Sequence, residues 1–343
     1  MEKTRKQHYV FQSYIKAWVP NNDKAVWCIC NNKVCQMQPK NVGYKKDFYR
    51  LECPNDTERQ IISVLSTIYP PSGQKEIKKH IKDILNYFAF SDCAAALAAA
   101  LCSVDASVDA STACKLKEQN IKKEFDAGRN NIAEQFYGES EGALMETFRK
   151  AFNNKPLFSD NKSKQELFLN ICIQYFRTKA IRDDISKCIK EYINKSAIDK
   201  KAVSVENVFN MLIWPAPGLL ADNLLANNFN VHVVQNTTNI HLITSDQPVI
   251  NLSADYSCCI EPKNLELYYP ISPTMAIFID KSDDRSNLNR PDYVNELNKK
   301  MITAASNFII TSSEKQAQDV CKSIANLKLS FNSHKFPQAQ NRT

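Results

Sequence analysis

A chain of 343 residues with only six glycines, at positions 43, 73, 128, 138, 142 and 218, is kept out of a large set of folds. Glycine makes up about 2% of this chain where about 7% is usual. Backbone that cradles phosphate needs glycine where main chain and ligand meet. Neither G-x-G-x-x-G nor G-x-x-x-x-G-K-[ST] can be drawn through these six positions. P-loop NTPases and Rossmann dinucleotide enzymes are therefore disfavoured. H-E-x-x-H does not occur either.

The length suffices for one large or two ordinary domains with a sizeable core. The net charge of +7 is spread along the chain, which permits nucleic acid as a partner without demanding it. The N-terminus lacks the apolar stretch of a secretory signal. The longest smooth apolar run, residues 93–104, falls short of the roughly 20 residues that cross a bilayer. The expectation is a cytoplasmic chain with no membrane partner, whose 12 cysteines are reduced thiols. Cys28, Cys30 and Cys35 form the densest thiol group. No fourth ligand for a structural zinc stands out, so they read as packed or surface thiols.

Periodicity divides the chain into textures. Phe11, Tyr14, Ile15 and Trp18 recur at helical spacing. Residues 25–30 and 33–38 read as two strands about Asn31-Asn32, a hairpin turn, and residues 44–51 as extended. Thr57 is the expected N-cap of a helix carrying Ile61, Ile62, Leu65 and Ile68, and Pro70-Pro71 ends it. Helices follow at 77–88, 115–137, 141–153 and 163–194, with the Ala-rich and Ser-rich stretch near 91–114 read as a loosely ordered insertion. After residue 204 the pattern becomes short strands, at 230–235, 240–244, 249–252, 265–271, 275–280 and 308–311. Helices near 291–305 and 313–327 complete the pattern. Short connections imply antiparallel pairing. The fold class is α+β: a helical middle packed on a mainly antiparallel C-terminal sheet, with an N-terminal helix and hairpin. One composite domain is expected over 1–343, with sub-regions 1–54, 55–203 and 204–343.

Several polar residues stand where apolar ones are the rule. On a helix through 163–194, Leu167, Ile171, Tyr175, Ile185, Ile189 and Ile193 share one stripe. Gln174, Thr178 and Arg182 fall inside it and Arg177 on its more exposed edge. Buried polar groups left unpaired cost roughly 1–3 kcal/mol each, so these must find partners. The stripe reads either as a hydrogen-bond network or as a pocket wall that presents donors to an anion. Asp246 ends a strand within Thr244-Ser245-Asp246-Gln247-Pro248-Val249. It either caps that turn or serves as a base or metal ligand. Tyr268-Tyr269-Pro270-Ile271-Ser272-Pro273 reads as a rigid turn.

These segments, taken in order, resemble a bacterial family known as a domain of unknown function. Its pattern is an N-terminal H-Y-V-P-x-x-Y-L-x-x-F, a Q-x-x-R-T-P helix and a T-S-D-x-P-V strand end. This chain has His8-Tyr9-Val10, Asn41-Val42 with Asp47-Phe48-Tyr49, Glu58, Gln174 through Thr178, Thr244 through Val249, Tyr269 through Pro273, and Asn298. Phe11 and Lys179 stand where the family has Pro, and a second glutamate after Glu58 is not evident. The resemblance carries no activity with it. It marks His8, Glu58, Gln174, Arg177 and Asp246 as the shared polar set and the candidate catalytic cluster.

The residue types suit hydrolysis of a phosphate-containing substrate, a nucleic acid or a nucleotide, by a bacterial intracellular effector. His8 is the candidate general acid or base. Arg177 could stabilise developing negative charge. Glu58 and Asp246 could hold a divalent cation, the one cofactor the set suggests. The alternatives are a non-catalytic binding module that uses the same residues as a buried polar core, and a protein-interaction subunit. Convergence on an open cleft favours the enzyme. Residues each paired within their own surroundings favour the binding module.

Overall fold

In the computed structural model, residues 2–20, 23–103, 108–256 and 264–330 are described, those of 98–103, 108–115 and 326–330 by backbone alone. In chain order the elements are β1 (Lys6–His8), α1 (Gln12–Ile15), β2 (Val26–Cys30), β3 (Lys33–Met37), β4 (Tyr44–Lys46), α2 (Asp56–Leu65), α3 (Pro71–Ser103), α4 (Val108–Phe152), α5 (Asn161–Phe176), α6 (Lys179–Lys195), α7 (Val205–Ile213) and α8 (Ala216–Ala226). Then follow β5 (Asn230–Gln235), β6 (Thr244–Ser245), β7 (Ile250–Asn251), β8 (Leu267–Ser272), β9 (Met275–Asp280), α9 (Pro291–Ala304), β10 (Phe308–Thr311) and α10 (Glu314–Ser330). The fold is α+β, with helices through the middle and antiparallel sheets toward the C-terminus.

The chain divides into two compact units that interleave in sequence. The first gathers residues up to Gln7 with Lys45–Glu139 and Asp183–Leu219. The second gathers His8–Tyr44, Ser140–Arg182 and the chain from Leu220 onward.

The first unit is helical. Its core joins Ile61 and Ile62 of α2, Ile77 and Ile84 of α3, Ile189 and Ile193 of α6, and Val208, Phe209, Met211 and Leu212 of α7. The N-cap of α2 is Asn55, not Thr57. Its side chain accepts from the Glu58 N–H (2.9 Å) while the Glu58 carboxylate accepts from the Asn55 N–H (3.0 Å). Two orphan donors of the first turn are thus satisfied reciprocally. Described residues of the stretch near 91–114 are helical, belonging to α3 and α4, where a loose insertion was expected; residues 104–107 lie outside the described residues. The expected break between 137 and 141 is also missing, because α4 runs through both expected helices. Gly138 carries no packing demand that would stop it: a Cβ there would meet nothing within 4 Å.

The second unit holds two four-stranded antiparallel sheets, ordered β3-β2-β10-β6 and β5-β9-β8-β7. The hairpin β2–β3 turns on Asn31 (φ 51°) and Asn32 (φ 60°). Two consecutive left-handed residues are what a two-residue turn between right-twisted strands requires, and Asn tolerates them. β2 then pairs with β10 from the far end of the chain, Ile29 opposite Ile309. The expected strand at 240–244 is reduced to Thr244–Ser245 of β6, because side chains take over its main-chain bonding. The Trp18 Nε1–H donates to the Leu242 carbonyl (3.0 Å), and the Ile243 N–H donates to Asn298 Oδ1 (3.1 Å). The apolar core of this unit includes Ile29, Ile250, Tyr268, Phe278, Leu297, Met301, Ile309 and Ile324.

Candidate functional site

On the second unit, one part of the candidate set is built outward from His8-Tyr9-Val10. The backbone N–H groups of Tyr9 (2.8 Å) and Val10 (3.2 Å) both donate to the carbonyl of Gly43. Gly43 has φ +67°, and a Cβ there would lie 2.9 Å from the Val10 Cβ. This is one place where a glycine-poor chain cannot do without glycine. The carbonyls of the same tripeptide then face α5.

Helix α5 is started by Asp160, whose side chain accepts from the Ser163 N–H (2.7 Å), and ends at Arg177. Gln174 and Arg177 are three residues apart, so they project from the same side of the helix end. Gln174 Nε2 (3.1 Å) and Arg177 Nε (3.2 Å) both donate to the Tyr9 carbonyl, and Arg177 Nη2 donates to the His8 carbonyl (3.4 Å). Arg177 Nη2 also meets Glu141 Oε1 at 2.7 Å, and its guanidinium lies over the Phe11 ring at 5.7 Å. Spacing made Arg177 the exposed edge of the stripe. Instead its side chain is 1% exposed. The reason is that α5 and α6 are two helices, not one: the chain turns at Arg177-Thr178, so one continuous helical phase does not hold. Gln174, Thr178 and Arg182 are buried as expected.

The strand end Thr244 through Val249 docks on the same helix terminus. Thr178 Oγ1 donates to Gln247 Oε1, and Gln247 Nε2 donates to the carbonyls of Tyr175 (3.1 Å) and Val249 (2.8 Å). The Tyr14 hydroxyl contacts Thr244 Oγ1 (2.6 Å) and donates to the Pro270 carbonyl (2.8 Å). Pro270 sits beside an irregularity in the β8–β9 register, where a residue without an N–H is tolerated. Glu141 and Gln247 were not singled out by sequence. Only a charge opposite Arg177 at the right depth could have pointed to the first.

Asp246 is fully buried. One carboxylate oxygen accepts from the Ser306 N–H (2.9 Å), and the other from the Asn307 N–H (2.9 Å) and Asn307 Nδ2 (2.6 Å). Its backbone N–H donates to the Phe308 carbonyl (3.2 Å). Burial pushes the carboxyl pKa up, and the bonds from Asn307 and Ser306 oppose that push. The arrangement locks the turn between α9 and β10. The His8 ring is 8% exposed. It donates from Nε2 to the Lys40 carbonyl (3.3 Å) and lies against Tyr44, ring centroids 5.6 Å apart. It is the carbonyl of His8, not its imidazole, that meets Arg177.

Glu58, the remaining member of the set, belongs to the first unit. Besides its capping bond it accepts from the Ser204 N–H (2.8 Å) and Asn207 Nδ2 (2.7 Å), tying α2 to the start of α7. Among the described residues no group of three or more His, Cys, Asp or Glu side chains could hold a metal ion. No helix among them is long and apolar enough to cross a membrane.

Two buried polar atoms near Arg177 have no hydrogen-bond partner among the described residues: Gln174 Oε1 and the Tyr269 hydroxyl. Burial raises the Tyr269 pKa well above 10, against a smaller opposing pull from Arg177. A third such atom, Gln316 Oε1, belongs to a cavity of about 790 Å³ beside α9 and α10. Its lining includes His241, Asn295, Asn298, Lys299, Lys315 and Gln316. Asn298 forms its base, donating to the His241 carbonyl (2.9 Å) while accepting from the Ile243 N–H. Gln316 Nε2 donates to the same carbonyl (2.7 Å).

No curated protein and no solved structure matches the chain. The model of one family, described as a protein of unknown function (DUF4238), matches residues 6–315, and the chain belongs to that family.

Proposed function

We propose that this protein is a non-catalytic binding module. In this reading His8, Gln174, Arg177 and Asp246 are its scaffold, and the cavity beside α9 and α10 takes a phosphate-bearing ligand. The observation that carries the reading is that these four side chains all bond to main-chain atoms of their own unit. General acid–base work needs a group within reach of the substrate's proton. The Arg177 charge is already met by Glu141 at 2.7 Å, which leaves less for a developing oxyanion. A divalent cation at Asp246 would have to displace three N–H donors from the oxygens it needs.

The cavity offers the opposite character. Lys299 and Lys315 bring two positive charges against the single lining carboxylate, Asp319, and Asn295 and His241 bring hydrogen-bonding side chains, to an open surface. One observation favours the hydrolase instead: Gln174 Oε1 and the Tyr269 hydroxyl lie unpaired in the interior that holds Arg177. The test incubates the protein with RNA, DNA and nucleotides, with and without Mg²⁺ or Mn²⁺. Binding without turnover is expected, weakened about tenfold by a Lys299→Ala, Lys315→Ala double variant. Turnover that His8→Ala and Asp246→Ala abolish while the variants keep native circular dichroism would replace this reading with the hydrolase.

A further inference from the structure

We propose that Cys28, Cys30 and Cys35 form a thiol site for hydroperoxides, in which Cys30 is oxidised and Cys28 resolves it to a Cys28–Cys30 disulfide. Cys28 and Cys30 project from the same face of β2, being two residues apart on a strand. Their sulfurs lie 3.1 Å apart. Cys35 stands directly opposite Cys28 across the β2–β3 ladder, its Sγ 3.5 Å from the Cys28 carbonyl. β3 is the outer strand of its sheet, and Cys30 and Cys35 are partly exposed where Cys28 is buried. Peroxide therefore reaches Cys30 before it reaches Cys28.

The surroundings divide the work between the two sulfurs. The two sulfurs share a hydrogen bond that either can donate; with the more buried Cys28 as donor, that bond, aided by one from Cys35, lowers the Cys30 pKa against burial and the Asp246 carboxylate. The same bond, with burial, raises the Cys28 pKa and keeps its proton in place. The thiolate is the nucleophile in peroxide chemistry.

In the first step the Cys30 thiolate attacks one peroxide oxygen. An S–O bond forms, the O–O bond breaks, and the departing alkoxide or hydroxide takes a proton from solvent, leaving Cys30 as the sulfenic acid. In the second step the Cys28 sulfur attacks the Cys30 sulfur. The S–S bond forms, the S–O bond breaks, and the hydroxyl leaves with the Cys28 proton as water. Two thiols lose two electrons, and the hydroperoxide becomes an alcohol, or water, plus water. The strand rise places the two Cα atoms about 6.5 Å apart, near the upper end of the range a disulfide spans. Such a bridge is readily reduced, which suits a reversible modification.

The test treats the full chain with one equivalent of hydrogen peroxide, with and without a dimedone-type sulfenic acid trap, and maps the products by mass spectrometry. The peptide carrying Cys28 and Cys30 should lose two hydrogens. Cys28→Ala should instead accumulate trapped sulfenic acid at Cys30, at least about fivefold over the unsubstituted chain. Cys30→Ser should abolish both products while circular dichroism stays native. Cys35→Ala, on the outer strand, provides a second variant that retains the Cys28–Cys30 pair and should still form the bridge. A bridge that uses Cys35 in place of Cys28 would overturn the proposal. So would trapping at Cys30 no faster than at the exposed Cys53, Cys93 and Cys188.

Discussion

The two units solve the same problem in opposite ways. The first hides a mainly apolar helical core, buries the Glu58 carboxylate where α2 meets α7, and keeps its ion pairs near the surface. Arg50–Asp126 (2.6 Å), Lys3–Asp126 (2.7 Å) and Arg5–Asp47 (2.7 Å) are all partly exposed pairs, and apolar side chains such as Ile68, Phe90 and Trp214 remain exposed. The second buries polar groups. Gln174, Arg177, Thr178, Asp246 and Gln247 are each 5% exposed or less. Surface pairs contribute little, whereas a buried charge stripped of its partner is costly. Four of the five candidate residues, His8, Gln174, Arg177 and Asp246, therefore lie where a lost hydrogen bond matters most, which is what a scaffold demands as much as an active site does.

The largest test of this contrast is Arg177→Ala. It removes the guanidinium that donates to the His8 carbonyl and meets Glu141, leaves the Tyr9 carbonyl with Gln174 as its other donor, and should cost about 3 kcal/mol or more in denaturant unfolding. Arg50→Ala in the first unit should cost about 1 kcal/mol or less. Equal losses would end the comparison.

The two buried carboxylates come next. Asp246→Asn turns an amide donor toward the N–H groups of Ser306 and Asn307, and should cost about 2–3 kcal/mol. Glu58→Gln should cost about 1–2 kcal/mol, because Asn55 still caps the Glu58 N–H. Chemical denaturation followed by circular dichroism measures both.

A smaller effect is pH-dependent and belongs to the first unit. His80 stacks on Trp214, ring centroids 4.2 Å apart, and burial lowers its pKa from about 6.5 to about 4. Above pH 6.5 the ring is neutral in both the folded and the unfolded chain. Between pH 6.5 and 4 the unfolded chain binds the proton first, so stability falls as pH falls, levelling near pH 4. The loss should be about 1–2 kcal/mol, allowing for a ring that is not fully enclosed. His80→Phe keeps the stack and should flatten the thermal midpoint across that window; an unchanged slope would assign it to other groups.

The smallest effect is at Asp47, whose bond from Arg5 holds its pKa down to about 2. Its contribution is complete above about pH 4 and is lost as pH falls toward 2. Asp47→Asn should remove under about 1 kcal/mol of that acid sensitivity, since Arg5 is half exposed. NMR titration of the Asp47 carboxyl checks the pKa directly.

Strands β5, β9 and β10 stand where alternation and turn residues placed them, because each pairs along its full length with a neighbour. Asn31-Asn32 was legible as a turn because left-handed backbone is a local property. The segment at 240–243 was not legible: apolar residues there look like a strand until Trp18 and Asn298 occupy the main chain. The α5–α6 break was hidden as well. No Gly or Pro marks it, and the bonds from Thr178 and Gln247 that hold it run to a segment some 70 residues away.

By itself the sequence determined the α+β class, most of the helices and strands outside 91–114 and 240–243, and the burial of Gln174, Thr178 and Arg182. All of these follow from local steric preference and from the period of apolar residues along one element. Only the tertiary structure decided that β2 joins β10, that Arg177 is enclosed with Glu141, that the His8 carbonyl and not its ring meets α5, and that Glu58 lies in a different unit from Asp246. Each of these depends on contacts between residues distant in sequence, which are set by where whole faces are buried together and leave no periodic mark on the chain.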